Sequence, residues 1–497
     1  MCDIVYRRLP FCFLRCALRG FLSVAIIFFA SLDFASNLWA QAVYIEDAVR
    51  YGTPNSAITP RVGALGLSYS GISDDYAALY ANPAGLTMLP RAEASASLQL
   101  DLHNSSATHF GTTTPYNQSS FFLGHLGVAF PVRTGEAGNF TIALGFSRDA
   151  DFTAGDSISG FNTATSLINS WVLGQRTGVL DGNAAFELAL ADVVGGRFIT
   201  PLRNNLQQNV GIAESGALNN LSVGLGVDVT RNISLGVSFI GVFGSYNYRR
   251  IFRESDVQNL YTTLDSRNLT DIDFDRMTSV DIIEHNLSGS RLVLGAQMRI
   301  EDNVRANASF TLPIAFRVVE QLSSAHSAFF DNGDSRFYSP NDPAPTAINF
   351  TLPWSLNVGF SGHFSGLTVA ASGEITDFRS VSASGNVIDA AAIRQAVSAL
   401  LALQLKAGVG LEYEIPNRPF VLRGSYSYIG SPYSQDEIGG SASLIGAGAG
   451  YYIAPNARFD FMYRLRLRTA NILLYDGAFY SSSQALSQAA LQFVVRF

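Results

Sequence analysis

Apolar and polar residues alternate along most of this chain with a period of two, the spacing of a strand whose two faces meet different surroundings. From Leu403 to Ile415 one face carries Leu403, Leu405, Ala407, Val409, Leu411, Tyr413 and Ile415, and the other Gln404, Lys406, Gly408, Gly410, Glu412 and Glu414. The pattern returns at Leu352–Ser361, Arg305–Arg317 and Arg458–Arg468, and the chain ends on Ala489, Leu491, Phe493, Val495 and Phe497 along one face. Set end to end, such stretches predict about fourteen strands, at 92–103, 120–132, 139–149, 219–229, 232–248, 280–300, 304–320, 350–363, 366–378, 402–415, 419–429, 441–453, 457–468 and 488–497. An even number is what a closed single-chain barrel needs.

Short turns at Thr134–Gly138, Thr230–Arg231, Glu301–Asn303, Pro416–Arg418 and Ala454–Asn456 alternate with longer segments, the longest being 150–218. Sorting of this kind is the outer-membrane pattern, with short turns in the periplasm. Two loops carry helical spacing, near 160–200 (Leu167, Ile168, Trp171, Val172, then Phe186, Leu190, Val193) and near 386–401, where Asp389 is placed to cap a helix bearing Ile393, Val397 and Leu400. Their apolar faces need partners: they either pack on each other as a lid or form a greasy capture site.

Composition narrows the fold class. Only 15% of the 497 residues are charged and 12% are aromatic, too apolar for disorder and poor in charge for a chain that meets only water. A net charge of −7 offers no basic surface for nucleic acid. Arg7, Arg8, Arg15 and Arg19 precede an apolar run from Phe21 to Leu32 and small residues at Ala40 and Ala42, which reads as an export signal over 1–40, with cleavage after Ala40 or Ala42. That run is too short to span a bilayer as a helix. All three cysteines (Cys2, Cys12, Cys16) lie within it or before it, so no disulfide framework follows. Hydrocarbon offers no partner for backbone N–H and C=O groups, so a spanning sheet must close. The expected fold is all-β: a transmembrane antiparallel barrel over 92–497, preceded by a segment at 41–91 placed to plug it.

That segment contains GISDDYAALYANPAGLTMLPR from Gly71 to Arg91, with Asp74 and Asp75 ahead of Asn82, Pro83 and Ala84. Read alone, Asn82-Pro83 is a turn before the first strand. Together with the paired acids, the glycines at 63, 66 and 71 and its position, the stretch resembles the N-terminal hatch of the FadL/TodX family of outer-membrane transporters for long-chain fatty acids and other hydrophobic compounds. The resemblance is specific over about residues 60–92 and elsewhere covers only architecture. It implies passive uptake of a hydrophobic small molecule through a hatch-plugged lumen, with release sideways into outer-membrane lipid through a kinked third strand, where Gly145 is the candidate kink. A protein-export scaffold at the cell surface is the alternative, since some barrels of this family serve secretion. The terminal Phe497 implies recognition by barrel assembly machinery, and a single-chain barrel implies a monomer.

Arg464, Arg466 and Arg468 share one strand face. They are candidates for holding a ligand carboxylate, or for bracing the hatch through Glu412 or Glu414. Gly446, Gly448 and Gly450 mimic a nucleotide loop, but no strand-to-helix turn follows, so they are read as room for the plug. The histidines at 103, 109, 125, 285, 326 and 363 are scattered, with neither nucleophile-elbow nor metal-ligand spacing. Neither catalysis, a cofactor nor a metal is therefore expected.

Overall fold

A computed structural model describes residues 44–133, 138–173, 183–262, 273–301, 303–312 and 315–497. The expected export signal lies outside them, as does most of the Thr134–Gly138 turn.

The chain forms a closed antiparallel barrel of fourteen strands. They are β1 (Glu93–His109), β2 (Thr112–Arg133), β3 (Asn139–Asp151, extended by Ala154–Asn162), β4 (Leu206–Asp228), β5 (Ile233–Ser255), β6 (Phe274–Glu301) and β7 (Val304–Leu312, continued by Ala315–Phe330). The circuit continues through β8 (Thr346–Thr351 and Ser355–Phe364), β9 (Leu367–Asp377), β10 (Leu403–Glu414), β11 (Phe420–Ile429), β12 (Ala442–Ala454), β13 (Ala457–Tyr475) and β14 (Ala478–Arg496). β1 pairs with β14 from Glu93↔Arg496 to Thr108↔Ser481, so the sheet has no edge at the seam, and Arg496 Nε adds a 2.8 Å ion pair to Glu93.

The strand faces sort as the alternation requires. On β1, Leu98, Leu100 and Leu102 point out and are exposed, while Ser95, Ser97, Gln99, Asp101 and His103 point in and are buried. On β10, Leu405, Val409 and Leu411 are exposed and Gln404 and Glu412 buried. Apolar side chains with that much exposure, such as Phe121 at 69%, form a belt around the barrel. Water would oppose such a belt and a bilayer accommodates it. No helix among the described residues is long and apolar enough to cross a membrane.

Several strands run well past their expected ends. β1 and β2 continue to a tight turn at Phe110-Gly111, β13 and β14 to one at Asp476-Gly477, and β4 starts at Leu206 rather than 219. These extensions project beyond the lipid belt, where the outer face meets water and the inner face packs: on β4, Leu206, Val210 and Ile212 are buried. The greasy-out, wet-in alternation therefore inverts and ceases to mark a strand by the rule that found the rest. Of the expected strand 304–320, Val304–Thr311 pairs with Ser355–Gly362 and Ala315–Glu320 with Thr346–Thr351.

The long loops are partly helical. Helix α4 (Leu167–Leu173) forms as expected, with Glu254 accepting from the N–H groups of Leu167 and Ile168. After it, α5 (Ala184–Glu187) lasts one turn, and Val193 lies in a small hairpin instead of continuing the helix. Asp389 caps α6 (Ala390–Leu400), accepting from Ala391 at 2.8 Å. The two loops do not pack as one lid. Leu167, Ile168, Leu188 and Leu190 fill an outer core at the barrel mouth, whereas Ile393, Ala396 and Val397 join a separate core with the N-terminal segment.

Candidate functional site

The lumen is filled from below by the hatch. It enters as a helix, α1 (44–52), whose Ile45, Ala48 and Tyr51 pack on inward residues of β4 to β7, among them Leu218, Val242 and Phe316. Next comes α2 (Pro60–Leu65). Thr59 supplies its N-cap and Pro60 its pre-set first turn, and Gly66 at φ +57° ends it. A 3-10 turn (Gly66–Gly71), α3 (Ala78–Ala81) and a second 3-10 turn (Pro83–Met88) complete the plug.

Charge holds α2 to the wall. Arg61 donates two hydrogen bonds to Glu412 of β10, at 2.8 and 2.7 Å, and reaches Asp74 at 2.6 Å and Asp75 at 2.9 Å. Glu412 is shared with Arg423 at 2.5 Å. Arg423 also meets Asp460 at 2.7 Å, and Asp460 meets Arg458 at 2.8 Å. Arg305 closes the far end on Asp74 at 3.2 Å. Four guanidinium groups thus face four carboxylates, so the network is neutral as well as buried. Burial by itself would push the Asp75 carboxyl up, but Arg61 and the Tyr69 hydroxyl outweigh it and hold it below its usual range. The paired acids of the sequence motif are therefore the hatch's half of a latch.

Asn82, Pro83 and Ala84 dock on the opposite wall. Asn82 Nδ2 donates to the Ala296 carbonyl at 3.0 Å and to Asn307 at 3.1 Å, while its Oδ1 caps the following turn by accepting from Ala84 N–H. The wall is shaped to receive them: a Cβ at Gly295 would meet Asn82 Oδ1 at 2.1 Å, and one at Gly236 would meet the Pro83 carbonyl carbon at 2.2 Å.

Gly145 follows the same logic. Its partner in the ladder is Gly127, both face the Tyr76 ring of the hatch, and a Cβ at Gly145 would lie 1.6 Å from Tyr76 Oη. The ladder passes Gly145 without a shift. The irregularity expected there falls instead between Arg148 and Ala150, so Gly145 makes room for an aromatic rather than bending the strand. Gly446 and Gly448 also give space to the hatch, at Gly63, Ala64 and their carbonyls, but Gly450 gives it to the Arg423–Asp460 pair.

The three arginines of β13 do not pair with Glu412, which belongs to Arg61 and Arg423. Arg464 bonds Gln488 and the Asn55 carbonyl of the hatch. Arg468 donates to the Gly439 carbonyl at 2.7 Å, and Nε of Arg466 is buried without a partner. None of the three lies within salt-bridge distance of a carboxylate among the described residues. Glu46 on α1 is exposed although its helix sits inside the barrel, so its side chain faces interior space.

The wall itself is incomplete between β2 and β3. Their ladder runs from Arg133↔Asn139 only to His125↔Ser147; above it, Thr112–Leu123 of β2 pairs with β1 alone, and β3, still paired with β4, turns inward so that the Gly155 carbonyl accepts from Ser105 of β1. Hatch and gap are joined there: Asn55 exchanges hydrogen bonds with the backbone of Asp151, and Ser56 N–H donates to the Asp149 carbonyl. Arg148 lies 4.4 Å over the Phe122 ring, and Ser120 bonds Asp151 at 3.1 Å.

These features define a hatch-plugged outer-membrane β-barrel. Among solved structures the fold is similar to a Pseudomonas aeruginosa FadL homologue (TM-score 0.55, 12% identity, covering 90% of this chain and 99% of that one). It is also similar to the Pseudomonas putida toluene transporter TodX (TM-score 0.50, 14% identity, 89% and 98% covered). No protein-family model and no curated protein sequence matches the chain. The fold is therefore that of the FadL-type channels, at a sequence distance where only structure carries the likeness.

Proposed function

We propose that this protein is a channel for passive uptake of hydrophobic molecules across the outer membrane, with long-chain fatty acids as the ligand class, and that it releases them sideways into lipid. In this reading residues 1–40 direct export, 41–91 are the hatch, Phe497 is read by the barrel assembly machinery and one chain suffices. The supporting observation is the unpaired upper stretch of β2 beside the inward turn of β3, held by hatch residues Asn55 and Ser56. An apolar solute gains about 25 cal/mol per Å² on leaving water, so a path into hydrocarbon needs no energy source. Asp74, Asp75, Asn82, Pro83 and Ala84 hold the plug. In this reading Arg464, Arg466 and Arg468, none of them in a salt bridge among the described residues, receive the carboxylate of the ligand.

The test is displacement of a fluorescent long-chain fatty acid from the detergent-folded protein. Saturable binding that falls at least tenfold in Arg466→Ala supports a carboxylate site. Binding of uncharged hydrocarbons with no loss in Arg466→Ala keeps the channel but removes the fatty acid. Failure to bind either removes uptake of this ligand class.

A further inference from the structure

One cluster in the lumen is separate from the Arg61 network and from the β2–β3 seam. Asp47 of α1, His285 of β6 and Glu320 of β7 are all buried, and each offers a ligand atom within 4.8 Å of the other two. His285 Nε2 lies 3.0 Å from Glu320 Oε2. The opposite ring nitrogen, Nδ1, is 2.5 Å from the hydroxyl of Tyr51, one helical turn beyond Asp47. A hydrogen bond to the second nitrogen is how proteins orient a metal-binding imidazole. Tyr51, Tyr246 and Phe316 pack around the group and keep it from bulk solvent.

Among the described residues no arginine or lysine pairs with Glu320. Glu320 is 6% exposed, and among the described residues its only ion-pairing partner is His285. Asp47 pairs with Arg50, which makes no other ion pair among the described residues. A buried carboxylate without compensation is costly, and a cation bound between Asp47, His285 and Glu320 would supply it. One imidazole and two carboxylates, with the fourth position open, suit zinc or a neighbouring first-row divalent ion.

We propose that Asp47, His285 and Glu320 bind a divalent transition metal that fastens the hatch helix α1 to β6 and β7. Donor atoms about 2.0–2.2 Å from zinc sit some 3–4 Å from one another, which a small inward movement of the three side chains provides. Asp47 contributes one carboxylate oxygen while the other stays with Arg50. Because the first ligand is on the plug and the other two on the wall, occupancy holds the N-terminal helix in place.

The experiment uses untagged, chelator-stripped, detergent-folded protein titrated with Co²⁺ and followed by visible absorption. One Co²⁺ per chain, with bands displaced by Zn²⁺, is expected. Glu320→Gln and Asp47→Asn should each lower affinity at least tenfold, and His363→Gln, at an exposed histidine, should not. Zn²⁺ should also raise the thermal midpoint of the wild type but not that of Asp47→Asn, whose change on the hatch leaves the barrel ladder intact. Absence of the Co²⁺ spectrum in the wild type, or a spectrum surviving both Glu320→Gln and Asp47→Asn, overturns the site.

Discussion

At the residue scale the hatch is held by a few buried contacts, and Arg61 carries the most. It binds three carboxylates drawn from two parts of the chain, and removing one partner of a buried network costs about 3–5 kcal/mol because the others are left uncompensated. Arg61→Ala should therefore loosen the plug, seen in planar bilayers as steady ion conductance that the wild type lacks; Arg61→Lys, which loses the two-pronged contact with Glu412, should fall between. The same latch responds to acid. Asp75 titrates below its ordinary value of 3.8 in the folded protein. Its contribution is thus full above pH 3.8 and lost as the pH falls through the lower folded value. Conductance should stay closed from pH 8 to 5 and appear only in strong acid; opening near neutral pH would assign the latch to another group. Tyr76 and Gly145 offer a separate check. Gly145→Val should cost about 1–3 kcal/mol by overpacking, and Tyr76→Ala should relieve much of that in a double-mutant cycle. Strict additivity would show that Gly145 serves the backbone rather than the tyrosine.

The strand as an element explains what the sequence made legible. Within the lipid belt one face meets hydrocarbon and the other the plug, so the alternation at Leu403–Ile415 corresponds to an observed strand, β10. Val409, 58% exposed on that strand, tests the assignment: Val409→Arg should lower stability by about 2–4 kcal/mol near the midplane, measured by denaturant unfolding from vesicles, while Val409→Leu should change it little. Equal losses would place Val409 off the lipid face. Above the belt the rule fails for a physical reason. In Leu206–Leu218 the outer face meets water and the inner face packs, so residues such as Gln207 and Asn209 hid a strand. The hatch motif was legible because Asp74, Asp75 and Asn82 are close in sequence. Their partners were not: Glu412 lies 351 positions from Arg61, and His285 lies 234 from Tyr51, distances only the barrel register closes.

Across the whole molecule, hatch, gap and outer core form one arrangement. The outer mouth is filled by a core including Leu167, Ile168 and Phe252, the lumen by the hatch, and the ladder between β2 and β3 stops at His125↔Ser147. Arg464 holds the carbonyl of Asn55, whose side chain in turn holds Asp151 at that seam, so a ligand that drew Arg464 away would release the hatch at the place where the wall is open. Lateral exit can be tested without removing any of these residues. Ser120 of β2 and Asp151 of β3 touch across the gap, and beyond residue 16 the chain has no cysteine, so Ser120→Cys with Asp151→Cys would give the sole pair in the barrel. Oxidised, the staple should leave fluorescent fatty-acid binding within a few-fold of wild type yet abolish uptake into cells, and reduction should restore uptake. Each single variant serves as the control for the lost Ser120–Asp151 contact. Uptake that persisted through a fully oxidised staple would move the exit from the wall to the periplasmic end of the lumen, and the hatch would then have to leave its seat on Glu412 for every molecule that passes.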